Sequence, residues 1–263
     1  MDQIGLERLK EAVQLLESPS WTAKITDIIG IPIEWAIKKL PKGAGEIVSK
    51  ATEIAIRKAL VASIATMDRK YSGKPFKGWH KLAVITSGGI GGFFGLPGLV
   101  IELPISTVIM LRSIADIARS EGKKIGDIET QMACVEVFAL GGRKRSDDAS
   151  ETGYYGVRIG LATALREAGQ YITESGLVEE GAPAIVRLIA RIASRYSIPV
   201  IDKVAAQAAP ILGSAGGATI NLLFINHFQS MARGHFIVRN LECKWGEDAV
   251  KAEYQNVAKL NNV

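Results

Sequence analysis

Cysteine is nearly absent: the 263 residues hold two, Cys134 and Cys243. They make neither a disulfide framework nor a zinc-ligand pattern, and they fit a reducing compartment. Histidine is almost as scarce, at His80, His227 and His235. On one helix His227 and His235 would sit about 12 Å apart at about 1.5 Å per residue, too far to share an ion. No metal site is therefore expected. Nucleotide motifs fail as well. A dinucleotide turn started at Gly89 would place its third glycine on Phe94, and a P-loop has no lysine available between Lys81 and Lys123. The nucleophile elbow G-x-S-x-G is missing; Gly213-Ser214-Ala215-Gly216 does not match it. A cysteine nucleophile needs a histidine partner that the sequence cannot place. No cofactor and no catalytic residue is nominated. Alternation of period two is also lacking, which excludes a sheet-based architecture. The first residues, MDQIGLERLKEAV, contain no signal-peptide core.

What is present is apolar and small. Hydrophobic residues make up 48% of the chain, aromatics only 6%, and glycine occurs 27 times. Mean hydropathy is +0.16. A chain of this size buries a substantial core, and its composition favours close packing of helices. The net charge of +5 suits an anionic surface or acidic partner. It is too diffuse for nucleic acid, which is excluded as a partner.

Two runs dominate. Leu82–Ile101 is uncharged, and Glu102 is the only ionisable group before Arg112. Val204–Ala232 is uncharged apart from His227. About 20 apolar residues cross a bilayer core, but Pro97 and Pro104 each remove a backbone donor, and six glycines from Gly88 to Gly98 supply no side chain. The first run reads as a broken helical hairpin or two short helices with a glycine turn. It suits either membrane insertion or the core of a soluble helical protein. Gly88 and Gly92, and Gly91 and Gly95, lie four apart, as do Ala209, Gly213, Gly217 and Asn221. Such grooves let backbones approach closely, so the two runs are expected to pack together, with Gly88, Gly92, Gly95, Pro97, Gly98, Pro104, Gly213 and Gly217 as packing residues.

The remaining apolar positions recur at helical spacing. Residues 1–20 give one helix. Trp21–Leu40 is a second segment interrupted at Pro32, and Pro41 and Gly43 close it. Glu46–Asp68 is a long helix with a small-residue stripe at Val48, Ala51, Ala55, Ala59 and Ala62. A basic, aromatic connector follows: Arg69, Lys70, Tyr71, Lys74, Phe76, Lys77, Trp79, His80, Lys81. Its position just before an apolar run is that of a cytoplasmic membrane flank, with Arg69, Lys70, Lys74, Lys77, Trp79 and Lys81 at the headgroups; a solvated loop has the same composition. Ile128–Ala139 gives another helix ended by Gly141-Gly142. Ser146–Glu151 is an acidic helix start. Arg187, Arg191 and Arg195 form a stripe that reads as a solvated face or a phosphate-binding one. Pro199 is expected to break the chain before the second run. Residues 247–263 give a final helix. The whole predicts an all-α fold, a single multi-helix domain of at least eight helices built around the two Gly-rich segments.

Three residues stand out as functional candidates. Glu102 is a carboxylate in an apolar run, which must be paired, protonated or wet. It reads either as a proton or ligand contact, or as a structural carboxylate near the start of a helix opened by Pro104 with Leu103 as N-cap. Asn221 reads as interhelical hydrogen-bond glue or a ligand contact. His227 is the one titratable group of the second run.

The stretch SGGIGGFFGLPGLVIELPISTVIMLRSIADIA resembles the Gly-rich, Leu-Pro-Gly, acidic-Leu-Pro signature of the EcsC protein family. ILGSAGGATINLLFINHFQSMARGHFIVRNLE is similar to that family's C-terminal segment, and IIGIPIEWAIKKLP to its N-terminal part. The resemblance runs from Trp21 to Gly246. Residues 21–246 are thus an EcsC-like helical domain between an N-terminal and a C-terminal helix. The family is named for a bacterial member encoded beside the two components of an ABC transport system, and it brings no established catalytic residues. It implies a bacterial, helical, membrane-linked accessory role, with a membrane surface, a membrane protein or lipid as partner. The implied location is the cytoplasm, at the cytoplasmic face of the membrane. An enzyme of unknown class using Glu102 in a helical pocket, and a soluble lipid-binding bundle, are the alternatives.

Overall fold

Ten helices, and no strand among the described residues, make up the computed structural model. They are α1 (Gln3–Glu17), α2 (Trp21–Ile29), α3 (Ile33–Lys38), α4 (Ala44–Thr66), α5 (Lys77–Ser120), α6 (Ile128–Leu140), α7 (Gly153–Ser175), α8 (Pro183–Ala208), α9 (Gly213–Trp245) and α10 (Glu247–Leu260). The structure describes residues 1–17, 21–66, 77–142, 153–176, 178–179, 181–208 and 213–260. At 66, 77–95, 97 and 213–216 it describes the backbone alone. The all-α fold expected from the 3.6-residue spacing is what forms.

The core is organised around α6. Its sequence IETQMACVEVFAL is apolar on nearly every side, and all residues from Thr130 to Leu140 are buried. A helix hydrophobic all round has to be enclosed, and α4, α5, α7, α8 and α9 all pack on it. Outside it, α4 lies along α5 and α8, α5 along α9, and α1 along α9. The small-residue stripe of α4 is the reason for its closeness to its neighbours: Val48, Ala51, Ala55 and Ala59 are buried.

Chain reversals fall at glycine and proline. Gly30 and Pro32 separate α2 from α3, as the sequence predicts. Between α9 and α10, Gly246 takes φ +85 and its N–H closes α9 on the Glu242 carbonyl at 2.9 Å. That left-handed conformation is one that residues with a Cβ adopt only at a cost. The start of α7 is closed from a distance. Buried Glu17, the last residue of α1, accepts the Tyr154 N–H at 3.4 Å and the Tyr254 hydroxyl at 2.9 Å, satisfying a donor that a first helical turn leaves free.

Three expectations are corrected. The first apolar run is neither a broken hairpin nor two short helices: α5 is one helix of 44 residues through both Pro97 and Pro104, about 66 Å long at about 1.5 Å per residue. Each proline costs a turn one hydrogen bond, but extended packing on α4 and α9 outweighs local propensity. Glu102 accordingly sits inside a helix and not near the N-terminal end of one, and Leu103 is no N-cap. Pro199 also fails to break the chain; it lies inside α8. It offers no N–H to the Arg195 carbonyl one turn earlier. Gly142 packs directly on that carbonyl, so closely that a Cβ at position 142 would overlap it. The Pro199 carbonyl in turn accepts the Trp21 indole N–H at 3.1 Å.

The arginine stripe of α8 is used within the fold. Arg187 pairs with Glu167 at 2.8 Å, Arg191 donates to the Gly160 carbonyl at 2.6 Å, and Arg195 donates to the Gly142 carbonyl at 3.5 Å. It ties α8 to α7 and to the end of α6.

Candidate functional site

Two of the three residues nominated from the sequence meet on α8. Glu102 of α5 accepts from Lys203 Nζ at 3.3 Å in a buried ion pair. The Lys203 ammonium also lies 5.1 Å from the centre of the Phe224 ring. One turn along α8, Gln207 donates to the Asn221 side-chain oxygen at 3.3 Å. Asn221 Nδ2 is buried and has no hydrogen-bond partner among the described residues. Glu102 and Asn221 therefore belong to one polar seam, joined through α8 and not to each other. Thr107 and Tyr196 share a hydrogen bond of 2.9 Å nearby. Asp202 accepts from Thr22 at 2.8 Å, and burial pushes its carboxyl up to about 6 against that hydrogen bond.

His227 lies elsewhere. Its Nε2–H donates to the Gly141 carbonyl at 3.1 Å, and its ring packs on Trp21 and Phe228. It satisfies the end of α6. Of the membrane-flank residues, Arg69, Lys70 and Lys74 fall outside the described residues, and so do the side chains of Lys77, Trp79 and Lys81. The surroundings of Gly88, Gly92, Gly95, Pro97 and Gly213 fall outside them too. Gly98 and Pro104 are half-buried within α5. At Gly217 an added Cβ would meet open space. The close approaches among the described residues are at Gly5, Gly141, Gly142 and Gly234; at Gly234 a Cβ would press on Leu16 of α1.

On α5, Ile101 is 71% and Ile105 is 52% exposed. They are one helical turn apart, so they share a face. They belong to Gly98–Ser120, a segment long and apolar enough to cross a membrane, with mean hydropathy 1.6; half of it is buried in the fold. The opposite face, with Leu99, Leu103, Met110 and Leu111, faces the core.

A second polar centre has no counterpart in the sequence reading. Glu136, in the middle of α6, is 3% exposed. The nearest charged-type partner is His235 of α9, whose Nε2 lies 3.5 Å away and makes no hydrogen bond. His235 Nδ1 and the Tyr154 hydroxyl share a hydrogen bond of 3.0 Å. Burial pushes the Glu136 carboxyl up to about 7, with Arg158 and Arg239 pulling the other way. Burial holds His235 well below the ordinary imidazole value, helped by Arg239, Arg158 and Lys123. Beside them Arg158 grips both oxygens of Glu242, the second at 3.0 Å, and Tyr155 donates to Glu242 at 2.9 Å. The sequence did carry one signal for this centre: a single glutamate in the otherwise apolar stretch MACVEVFAL of α6.

Glu136 opens onto a groove of about 540 Å³ between α6 and α7. Cys134 faces elsewhere and is inert; burial pushes its thiol up to about 12.

The model of the EcsC protein family matches residues 5–241 of the chain, so that α1 from Gly5 onward lies within the match. No curated protein and no solved structure matches.

Proposed function

The chain belongs to the EcsC protein family, and from that premise we propose that it is a membrane-associated, non-enzymatic accessory protein that binds a membrane partner or lipid at the cytoplasmic face of the membrane. The observation that carries this reading is the face of α5 bearing Ile101 and Ile105. Two large aliphatic side chains, 71% and 52% exposed, stand on the one helix among the described residues that is long and apolar enough to cross a membrane. Each would gain from leaving water, at roughly 25 cal/mol per Å² of apolar surface. The net charge of +5 and the lysines and arginines that precede the run in sequence add attraction to anionic headgroups. An enzyme built on Glu102 gains no support from the geometry, because Lys203 already occupies that carboxylate.

Vesicle co-sedimentation tests the proposal. The protein is expected to sediment with anionic vesicles and less with neutral ones, and salt is expected to weaken the binding. Exchanging Lys70, Lys74, Lys77 and Lys81 for Gln should weaken it as well. Ile101→Gln with Ile105→Gln should reduce it at every salt concentration while leaving thermal stability near that of the parent. A parent protein that ignores anionic vesicles at low salt would overturn the proposal.

A further inference from the structure

The groove between α6 and α7 combines an apolar floor with a polar end. Met132, Ala133, Ala162 and Leu165 line its length, and Gly169 leaves it open beyond them. At the polar end stand Glu136, Arg158 and Arg239. The two arginines differ in availability. Arg158 is held on both oxygens of Glu242. Arg239 pairs with Glu129, whose side chain is 84% exposed and can be released to water at little cost. The Glu136 carboxyl accepts no hydrogen bond among the described residues, and His235 Nε2, 3.5 Å from it, is buried and makes none either. Native structures rarely leave buried polar groups in that state.

We propose that this groove binds a single-chain amphiphile carrying a carboxylate, of the fatty-acid class. Its aliphatic body lies along Met132, Ala162 and Leu165, and its head meets Arg239 and Glu136. Arg239 exchanges the exposed Glu129 for the ligand carboxylate. Glu136, protonated, donates to the same head, a role open to a carboxyl kept neutral by its surroundings. The site stands apart from the face of α5, and neither depends on the other.

The groups facing Glu136 are Tyr154 and Arg158 from α7, and His235, Arg239 and Glu242 from α9, with Tyr155 lining the same groove. Glu129 lies two turns away on α6, and Glu247 stands at the head of α10. With Glu136 titrating at about 7 and His235 neutral throughout the neutral range, the protonated donor is lost as pH rises from 6.5 to 8. Binding should weaken over that interval.

Titration calorimetry on the full chain, with dodecanoate below its micelle concentration, tests the site. Dodecyltrimethylammonium serves as the cationic comparator. One dodecanoate is expected per chain, with affinity falling at least fivefold from pH 6.5 to pH 8. Arg239→Gln should weaken binding tenfold or more. Glu136→Gln, which keeps a donor, should bind within threefold of the parent at pH 6.5 and lose most of the pH dependence. Ala162→Phe should abolish binding while leaving vesicle sedimentation unchanged. The proposal is overturned by any of four results: no dodecanoate binding, equal binding of the cation, parental binding in Ala162→Phe, or parental pH dependence in Glu136→Gln.

Discussion

At Gly142 there is no room for a side chain, because the Arg195 carbonyl, passed over by Pro199, occupies the place a Cβ would take. Backbone cannot give way as a flexible side chain does, so Gly142→Ala should cost about 1–3 kcal/mol through overpacking, read as a fall in denaturant midpoint. Gly217→Ala is the contrast. Its Cβ meets open space, and a helix interior gains roughly 0.5–1 kcal/mol when alanine replaces glycine. Lys203 gives a second residue-scale test. Lys203→Met strands a buried carboxylate at Glu102, which should cost on the order of 3–5 kcal/mol, whereas Glu102→Leu with Lys203→Met should recover most of it. A double variant as unstable as the single one would contradict the pairing. Glu136 has a pH signature in stability. Its folded value, about 7, lies above the ordinary carboxyl value of 4.5, so the folded state holds the proton more tightly. Stability contributed by that protonated form is present below about 4.5 and is lost as pH rises towards about 7. His235, held low, acts in the opposite sense, its penalty easing as pH rises to about 6.5. Glu136→Gln removes only the first effect. The melting temperature of the variant, relative to the parent, should therefore climb between pH 5 and pH 7 and level off above. A constant difference would contradict a buried, protonated Glu136.

Among the helices, periodicity made α4 legible in the sequence and left α5 and α8 half-read. Val48, Ala51, Ala55 and Ala59 announced both a helix and its buried face, since spacing alone sets which side chains share a side. Pro97, Pro104 and Pro199 announced breaks that do not occur. A proline's cost of about 3 kcal/mol is local, whereas the packing that offsets it comes from α4, α9 and other elements distant in sequence. The same limit hid the centre at Glu136. Its partners His235, Tyr154 and Arg158 come from α9 and α7, and no spacing rule links them to α6. Glu102 was legible as a residue needing a partner, but not that the partner would be Lys203, 101 residues away. At this scale the test is the α4 stripe. Ala55 is fully buried on a helix laid against α5 and α8, so Ala55→Leu should cost about 1–3 kcal/mol in thermal or denaturant unfolding. A substitution without effect would show that α4 does not set the spacing of its neighbours.

For the molecule as a whole, a mostly satisfied helical core stands behind the apolar face of α5 that bears Ile101 and Ile105. The core is continuous from α1 to α10, so the face of α5 is carried on a rigid support. The central claim is that this face enters the membrane. The most direct measurement puts an environment-sensitive fluorophore on a single cysteine at position 105, with Cys134 and Cys243 replaced. Quenching is then read from lipids brominated along their tails. A label at Arg187, on the exposed side of α8, serves as reference. With anionic vesicles the account predicts a blue shift and strong tail-bromine quenching at position 105, and neither at position 187. Vesicle-bound protein whose position 105 stays unquenched would contradict it.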